Sequence, residues 1–254
     1  MRTIAIVNQK GGSGKTTTAV NLAAAIGERG RRVLVVDLDP QASTSRWLGV
    51  RDGGRRLLDA LLGNGEIADL AVTTQWPGVW LVASSEWLVG AEKALAGEVG
   101  AEAILRRQLG APGMTRWEYV LVDCPPALGI LTVNALAAAR EVLIPVEAHV
   151  MALSGLAQLL KTVDVVRERL NPELSVAGIL ACRVDGRTRH AREVVEEIRS
   201  RFADITYNTI IRENVRLAEC PSFGQPIMAY APRSAGAADY RALAEEVIQQ
   251  EGSL

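Results

Sequence analysis

Short runs of aliphatic, often β-branched residues alternate along this chain with longer stretches in which apolar residues recur at helical spacing. The apolar runs predict buried strands over Thr3–Asn8, Arg32–Asp37, Val79–Ala83, Tyr119–Asp123, Glu141–Val146 and Val176–Cys182. The intervening segments predict helices over Lys15–Arg29, Arg55–Leu62, Ala101–Leu109, Leu131–Ala139, Ser154–Leu170, Arg189–Phe202 and Ala235–Gln250. Strands that alternate with helices pair in parallel through right-handed crossovers. The fold class expected is therefore α/β: a doubly wound, mostly parallel sheet with helices on both faces. Ligands of such sheets sit beyond the C-terminal ends of the strands. No Pro-, Ser- or Gly-rich linker and no internal repeat divides the chain, so residues 1–254 are expected to form one domain.

Composition agrees with that architecture. Hydrophobic residues make up 48% of the 254, but aromatics only 4%, which implies a core of Ala, Val, Leu and Ile. Lys plus Arg (28) nearly balances Asp plus Glu (29), so a basic surface for nucleic acid would have to be local or assembled by dimerisation. Cys124, Cys182 and Cys220 lie far apart without metal-ligand spacing and read as small buried thiols of a reducing cytosol. The N-terminus runs straight into Thr3-Ile4-Ala5-Ile6-Val7, which argues against a signal peptide, and no stretch reaches the ~20 apolar residues of a membrane span. A cytoplasmic protein is expected.

The candidate chemistry begins where the first strand ends. Lys10-Gly11-Gly12-Ser13-Gly14-Lys15-Thr16 separates that strand from the first helix. The glycines let backbone N–H groups converge on phosphate oxygens, and the helix adds its positive end. Lys15 is placed for the β- and γ-phosphates, the Thr16 hydroxyl for Mg²⁺, and Thr17 is the next donor. The leading glycine of the usual GxxxxGK[ST] pattern is Gln9 here, and an extra lysine, Lys10, follows it. The whole chain contains only Lys10, Lys15, Lys93 and Lys161. Two of these four fall in one seven-residue loop, in a chain whose default basic residue is Arg, which suggests a demand for ammonium groups there.

Two strand ends carry carboxylates. Val33-Leu34-Val35-Val36 leads into Asp37-Leu38-Asp39-Pro40, and period two gives Asp37 and Asp39 a shared orientation. Val120-Leu121-Val122 ends at Asp123, the Walker B position. An Asp after a strand is often only a turn former. Beside a phosphate loop, each becomes a candidate for holding a metal or a water.

These segments resemble the ParA/MinD/Soj group of deviant Walker ATPases over nearly the whole chain. The resemblance rests on KGGSGKTTT at Lys10–Thr18, DLDPQAS at Asp37–Ser43, VLVDCPP at Val120–Pro126, DGRT at Asp185–Thr188 and ENVRLAECPSFGQPI at Glu213–Ile227. The last stretch, with no N-terminal DNA-binding extension, looks most like the short chromosomal Soj/ParA proteins. The resemblance implies an ATP-sandwich homodimer with Mg²⁺, in which Lys10 reaches the partner's nucleotide. It also implies that Lys15 and Thr16 hold phosphates and metal, that Asp39 positions the attacking water and adjoins the metal, and that Asp123 supports the metal. Relatives contact the base near an IPRN segment, here Ile211-Arg212-Glu213-Asn214, with Arg212 in place of Pro and Asn214 retained. It further implies a nucleoid-associated switch in which the ATP dimer binds DNA non-specifically and a ParB-like partner stimulates hydrolysis. Arg216, Arg233 and Arg241 are the candidates for DNA contact, with Gln225 where relatives often have Lys. The alternatives are a related ATPase that positions a protein cargo and a MinD-like membrane switch. The acidic end, Glu245–Leu254, argues against the membrane. An iron–sulfur reductase would need Cys124 paired with a second suitable thiolate. His149 and His190 show no partners in the sequence and receive no catalytic role.

Overall fold

The computed structural model describes residues 1–149 and 152–253; Leu254, the last residue of the acidic end, lies outside them. The strands are β1 (Arg2–Ile6), β2 (Val33–Asp37), β3 (Val72–Thr73), β4 (Val79–Val82), β5 (Tyr119–Asp123), β6 (Glu141–Glu147) and β7 (Ser175–Cys182). They form one sheet in the order β3-β4-β2-β5-β1-β6-β7. Every pairing is parallel except that of β3 with β4. Two-residue β3, exposed at the edge, is the strand the periodicity does not predict; it is too short to carry a pattern.

The helices are α1 (Lys15–Glu28), α2 (Ser43–Trp47), α3 (Arg56–Leu61), α4 (Ala91–Leu95), α5 (Ile104–Leu109), α6 (Ile130–Ala138), α7 (Ala152–Arg169), α8 (Arg189–Arg201), α9 (Val215–Phe223), α10 (Ile227–Tyr230) and α11 (Ala235–Gln249). All seven predicted helices are present within a few residues. The one over Ala101–Leu109 divides into a 3-10 turn and α5. Helices α2, α4 and α10 are too short to show a period, and α9 carries Pro221 inside it.

Alternation along the strands sends side chains into two separate cores. Ala5, Val7, Leu34 and Val36 pack with α3, α5, α6, α7 and α8 on one face. Ile4, Ile6, Val33 and Val35 pack with α1, α2, α9, α10 and α11 on the other. The strands are buried along their length, as a sheet covered on both faces requires. Chain order turns back around β1, whose crossover through α1 passes over β5 to reach β2, while β6 and β7 lie on its opposite side. A crevice is thereby left at the C-terminal ends of β1 and β5.

One buried ion pair fixes the N-terminal strand in this arrangement. Arg2, 8% exposed, meets the carboxylate of Glu141 on β6, 2% exposed. Its guanidinium also donates to the Val247 carbonyl of α11 and to Gln250. The pair thus joins two strands to the C-terminal helix at the end of the sheet opposite the crevice. Removing one member leaves a buried charge uncompensated. Glu141→Ala is expected to lower the urea unfolding free energy by about 3–5 kcal/mol. A loss below 1 kcal/mol would show that the guanidinium is satisfied by its remaining partners.

Candidate nucleotide site

The loop after β1 wraps the N-terminal end of α1. Gly12 and Gly14 adopt φ of 75° and 96°, left-handed values that side chains resist. Gly14 is the residue before α1, and a Cβ there would also meet Cys182 at 3.6 Å. The turn is therefore closed to larger residues by backbone conformation first. Asn8 braces its start, donating to the Pro145 carbonyl at 2.6 Å while accepting from the Lys10 N–H at 2.9 Å.

A cavity of about 670 Å³ opens over this loop. Its walls include Gly11, Gly12, Gly14, Lys15, Thr16, Thr17, Asp39, Arg212 and Asn214, so most of the predicted nucleotide residues converge from three parts of the chain. Lys15 is 7% exposed and donates to the Lys10 carbonyl at 3.3 Å. Burial holds its ammonium below the ordinary lysine pKa, opposed by the charges of Asp123 and Asp39.

Beneath the loop, Asp123 is fully buried and accepts from Thr16 Oγ1 at 2.9 Å and from Thr44 Oγ1 at 2.7 Å. Both hydroxyls share its Oδ2, while its Oδ1 has no hydrogen-bond partner among the described residues. The Ser13 hydroxyl is likewise buried without a partner. Unsatisfied polar atoms at such a place are what a bound group satisfies. Thr16 with one or two carboxylates beside a phosphate cradle suits Mg²⁺, which keeps waters and takes phosphate oxygens as further ligands.

The two aspartates after β2 part company, contrary to the period-two expectation. Asp37 closes the strand, is fully buried and accepts from the Ser45 N–H and hydroxyl at 2.8 and 2.7 Å. Asp39 lies past the strand end, where alternation no longer applies. Its Oδ1 accepts the Gln41 N–H at 2.9 Å, and the side chain reaches the cavity. Asp37 therefore holds α2 in place, and Asp39 alone faces the ligand space.

The other predicted residues, and the partners that hold them, differ in their relation to this cavity. The Lys10 ammonium is half-exposed, sits outside the cavity lining and pairs with Glu147 at 2.6 Å. Arg212 is tied to Asp239 of α11, whose Oδ2 accepts both its N–H at 3.0 Å and its Nε at 3.1 Å. Asn214 lines the cavity, yet its side-chain oxygen is already committed as the N-cap of α9, accepting the Arg216 N–H at 2.9 Å. Arg216 pairs with Glu219 at 3.0 Å and Arg241 with Glu28 at 2.7 Å. Arg233 is exposed and has no carboxylate partner among the described residues. Arg241 also donates to the Pro232 carbonyl at 2.8 Å, which sets it beside Arg233.

Sequence reasoning missed Thr44, Glu147 and Asp239. A Thr after DLDPQAS, or a Glu at a strand end, carries no local sign of the long-range partner it will meet. His149 and His190 also depart from expectation, since their rings meet edge to face at 6.3 Å. Cys124 is fully buried, which removes it from any surface where a cluster could bridge two chains.

A glycine-rich turn between β1 and α1, over a buried carboxylate at the end of a neighbouring parallel strand, defines a P-loop nucleotide-binding protein. Comparison with known proteins narrows this. The family described as AAA domain matches residues 1–176. The chain is 47% identical over 248 residues to the chromosome-partitioning ATPase Soj of Thermus thermophilus, covering 98% of this chain and 96% of that protein. It is 42% identical over 254 residues to the chromosome partitioning protein ParA of Caulobacter vibrioides, covering 99% and 95%. The crystal structure of cobyrinic acid a,c-diamide synthase from Mycobacterium smegmatis with bound ATP analog and magnesium superposes with a TM-score of 0.87 at 34% identity, covering 100% of this chain and 96% of that one. The chain belongs to the ParA/Soj family of P-loop ATPases. Among the described residues, no helix is long and apolar enough to cross a membrane.

The buried carboxylates make the ligand-free protein sensitive to pH. Burial first, and the Asp123 carboxylate second, push Asp37 up to about 7 from its ordinary 3.8. Burial raises Asp123 to about 6, with the Thr44 and Thr16 hydroxyls pulling it back. Carboxyls whose folded pKa exceeds the unfolded value hold extra protons in the native state, so their contribution is greatest at low pH and is lost as pH rises from about 4 through about 7. Urea unfolding in EDTA is expected to show stability falling between about pH 4 and about pH 7, and Asp37→Asn should flatten that fall. An equal fall in the variant would assign the dependence to other groups.

Proposed function

We propose that this single-domain chain is the ATP-driven switch of a DNA-partitioning system, cytoplasmic and nucleoid-associated. The observation that carries the reading is the division of labour between two lysines of one loop. Lys15 is buried in the cavity wall, whereas the Lys10 ammonium stands half-exposed outside it. A lysine so placed has no task at its own phosphates but can reach a nucleotide held by a second subunit. ATP is then sandwiched in a homodimer, with Lys10 acting in trans as an arginine finger does, a contribution on the order of 10³–10⁵ in rate.

Within each subunit, the Gly11–Gly14 backbone, Ser13, Lys15 and Thr17 bind the phosphates. Thr16 and Asp123 hold Mg²⁺, with Asp39 beside them; when bound, the metal neutralises charge on the phosphate oxygens. Asp39 orients a water in line with the γ-phosphorus and accepts its proton as the bond to ADP breaks. Leu217, Ala218 and Tyr240 give the far end of the cavity an apolar wall for the base, with Arg212 and Asn214 at its edge.

The ATP dimer binds duplex DNA without sequence preference through the C-terminal region and is released on hydrolysis, stimulated by a ParB-like partner. Arg233 is the strongest DNA candidate because its charge is uncompensated. Arg216 and Arg241 must exchange carboxylate partners for phosphate. Support comes from family membership and from the names of the Soj and ParA relatives.

Binding to random-sequence duplex with ATP, ADP or neither, across a salt series, tests the switch. Binding with ATP alone is expected, with log affinity falling by about 0.9 per neutralised phosphate against log salt. Nucleotide-independent binding, or none, would contradict it. Asp39→Ala is expected to keep ATP affinity and lose turnover by a factor of about 10²–10⁴. Unchanged turnover would remove Asp39 from the chemistry.

A further inference from the structure

Glu147 closes β6 beside the phosphate loop and accepts two cations from its own chain. Lys10 Nζ lies 2.6 Å from Oε2, and Arg183 Nη1 lies 3.4 Å from Oε1. Arg183 follows β7 in the left-handed region at φ 53°, a conformation that non-glycine residues rarely adopt, and it also lines the nucleotide cavity. Glu147 itself is no part of that lining. Asn8 holds the start of the loop against Pro145, two residues earlier on the same strand, so the Lys10 ammonium meets β6 directly and its backbone N–H is linked to β6 through the Asn8 side chain.

We infer that Glu147 is a positioning residue that parks Lys10 on its own subunit and so sets the threshold for ATP-driven dimerisation. The inference rests on the reading of Lys10 as the residue that acts in trans. The ammonium lies against Glu147 outside the cavity lining, so on this inference reaching a second subunit's phosphates draws it away from the carboxylate and each dimer opens two such pairs. Arg183 remains to satisfy the carboxylate when Lys10 leaves, which makes the release reversible. Exposed ion pairs of this kind shift an equilibrium by about 1.4- to 5.5-fold each. Two per dimer multiply to about 2- to 30-fold in the dimer dissociation constant.

The test is sedimentation equilibrium with Mg²⁺ and a non-hydrolysable ATP analogue on the unmodified chain, Glu147→Gln, Lys10→Ala and the double variant. Monomer affinity for a fluorescent ATP analogue is measured alongside, at protein concentrations below dimerisation. Glu147→Gln is expected to tighten the dimer by about 2- to 30-fold with monomer affinity unchanged, and the gain should vanish when Lys10 is Ala. Should Lys10→Ala dimerise as the unmodified chain does, the trans reading itself is wrong. Should Lys10→Ala fail to dimerise while Glu147→Gln leaves the dimer unchanged or weaker, the trans reading stands and the parking role is overturned. A change in monomer affinity with Glu147→Gln would make Glu147 part of the nucleotide site and equally overturn it.

Discussion

The Asp123 carboxylate, cut off from water at the end of β5, is where the sheet, the phosphate loop and the segment after β2 are joined. Thr16 opens α1 and Thr44 sits in α2, and both hydroxyls converge on the same oxygen of Asp123. The helix that presents the loop to the cavity is thus registered against the central strands by a hydrogen bond at its first turn. The cost of this arrangement is electrostatic. Asp123 and Asp39 act on the buried ammonium of Lys15, Asp37 adds its charge to that of Asp123, and burial pushes Asp37 and Asp123 towards the protonated form. A buried excess of carboxylate is unfavourable until a cation arrives. The same excess that weakens the empty site therefore favours it when metal and nucleotide enter together.

Much of this was legible in the sequence because it is local. Strand and helix identity followed from period, and the loop followed from Gly11, Gly12 and Gly14 standing between β1 and α1. Asp123 was legible because an apolar strand led directly to it. What escaped depended on long-range register. Thr44 meets Asp123 only because β2 and β5 pair with Asp37 opposite Asp123. Asp239 holds Arg212 only because α11 packs across the segment that follows β7. Asp37 and Asp39 were separated by the point at which the strand stops, which alternation alone cannot locate. The resemblance to ParA/MinD/Soj proteins supplied the family, and it suggested arginines for DNA without their ion-pair partners. Two of the three, Arg216 and Arg241, have carboxylates within 3.0 Å.

The ion pairs also bear on how a chain of balanced charge would serve the proposed electrostatic function. With a formal net charge of −1, any basic surface has to come from particular arginines such as Arg233, or from two copies brought together. Lys10 has a comparable character: its ammonium faces Glu147 and lies outside the cavity lining. On the proposed function, nucleotide site and DNA surface are both half-built, and one association completes them.

That association is measured most directly by the solution mass of the unmodified chain in light scattering, with Mg²⁺ and either ATP or ADP. The account predicts a dimer of twice 27.3 kDa with ATP and a 27.3 kDa monomer with ADP. A monomer in both states, or a dimer indifferent to the nucleotide, would contradict it.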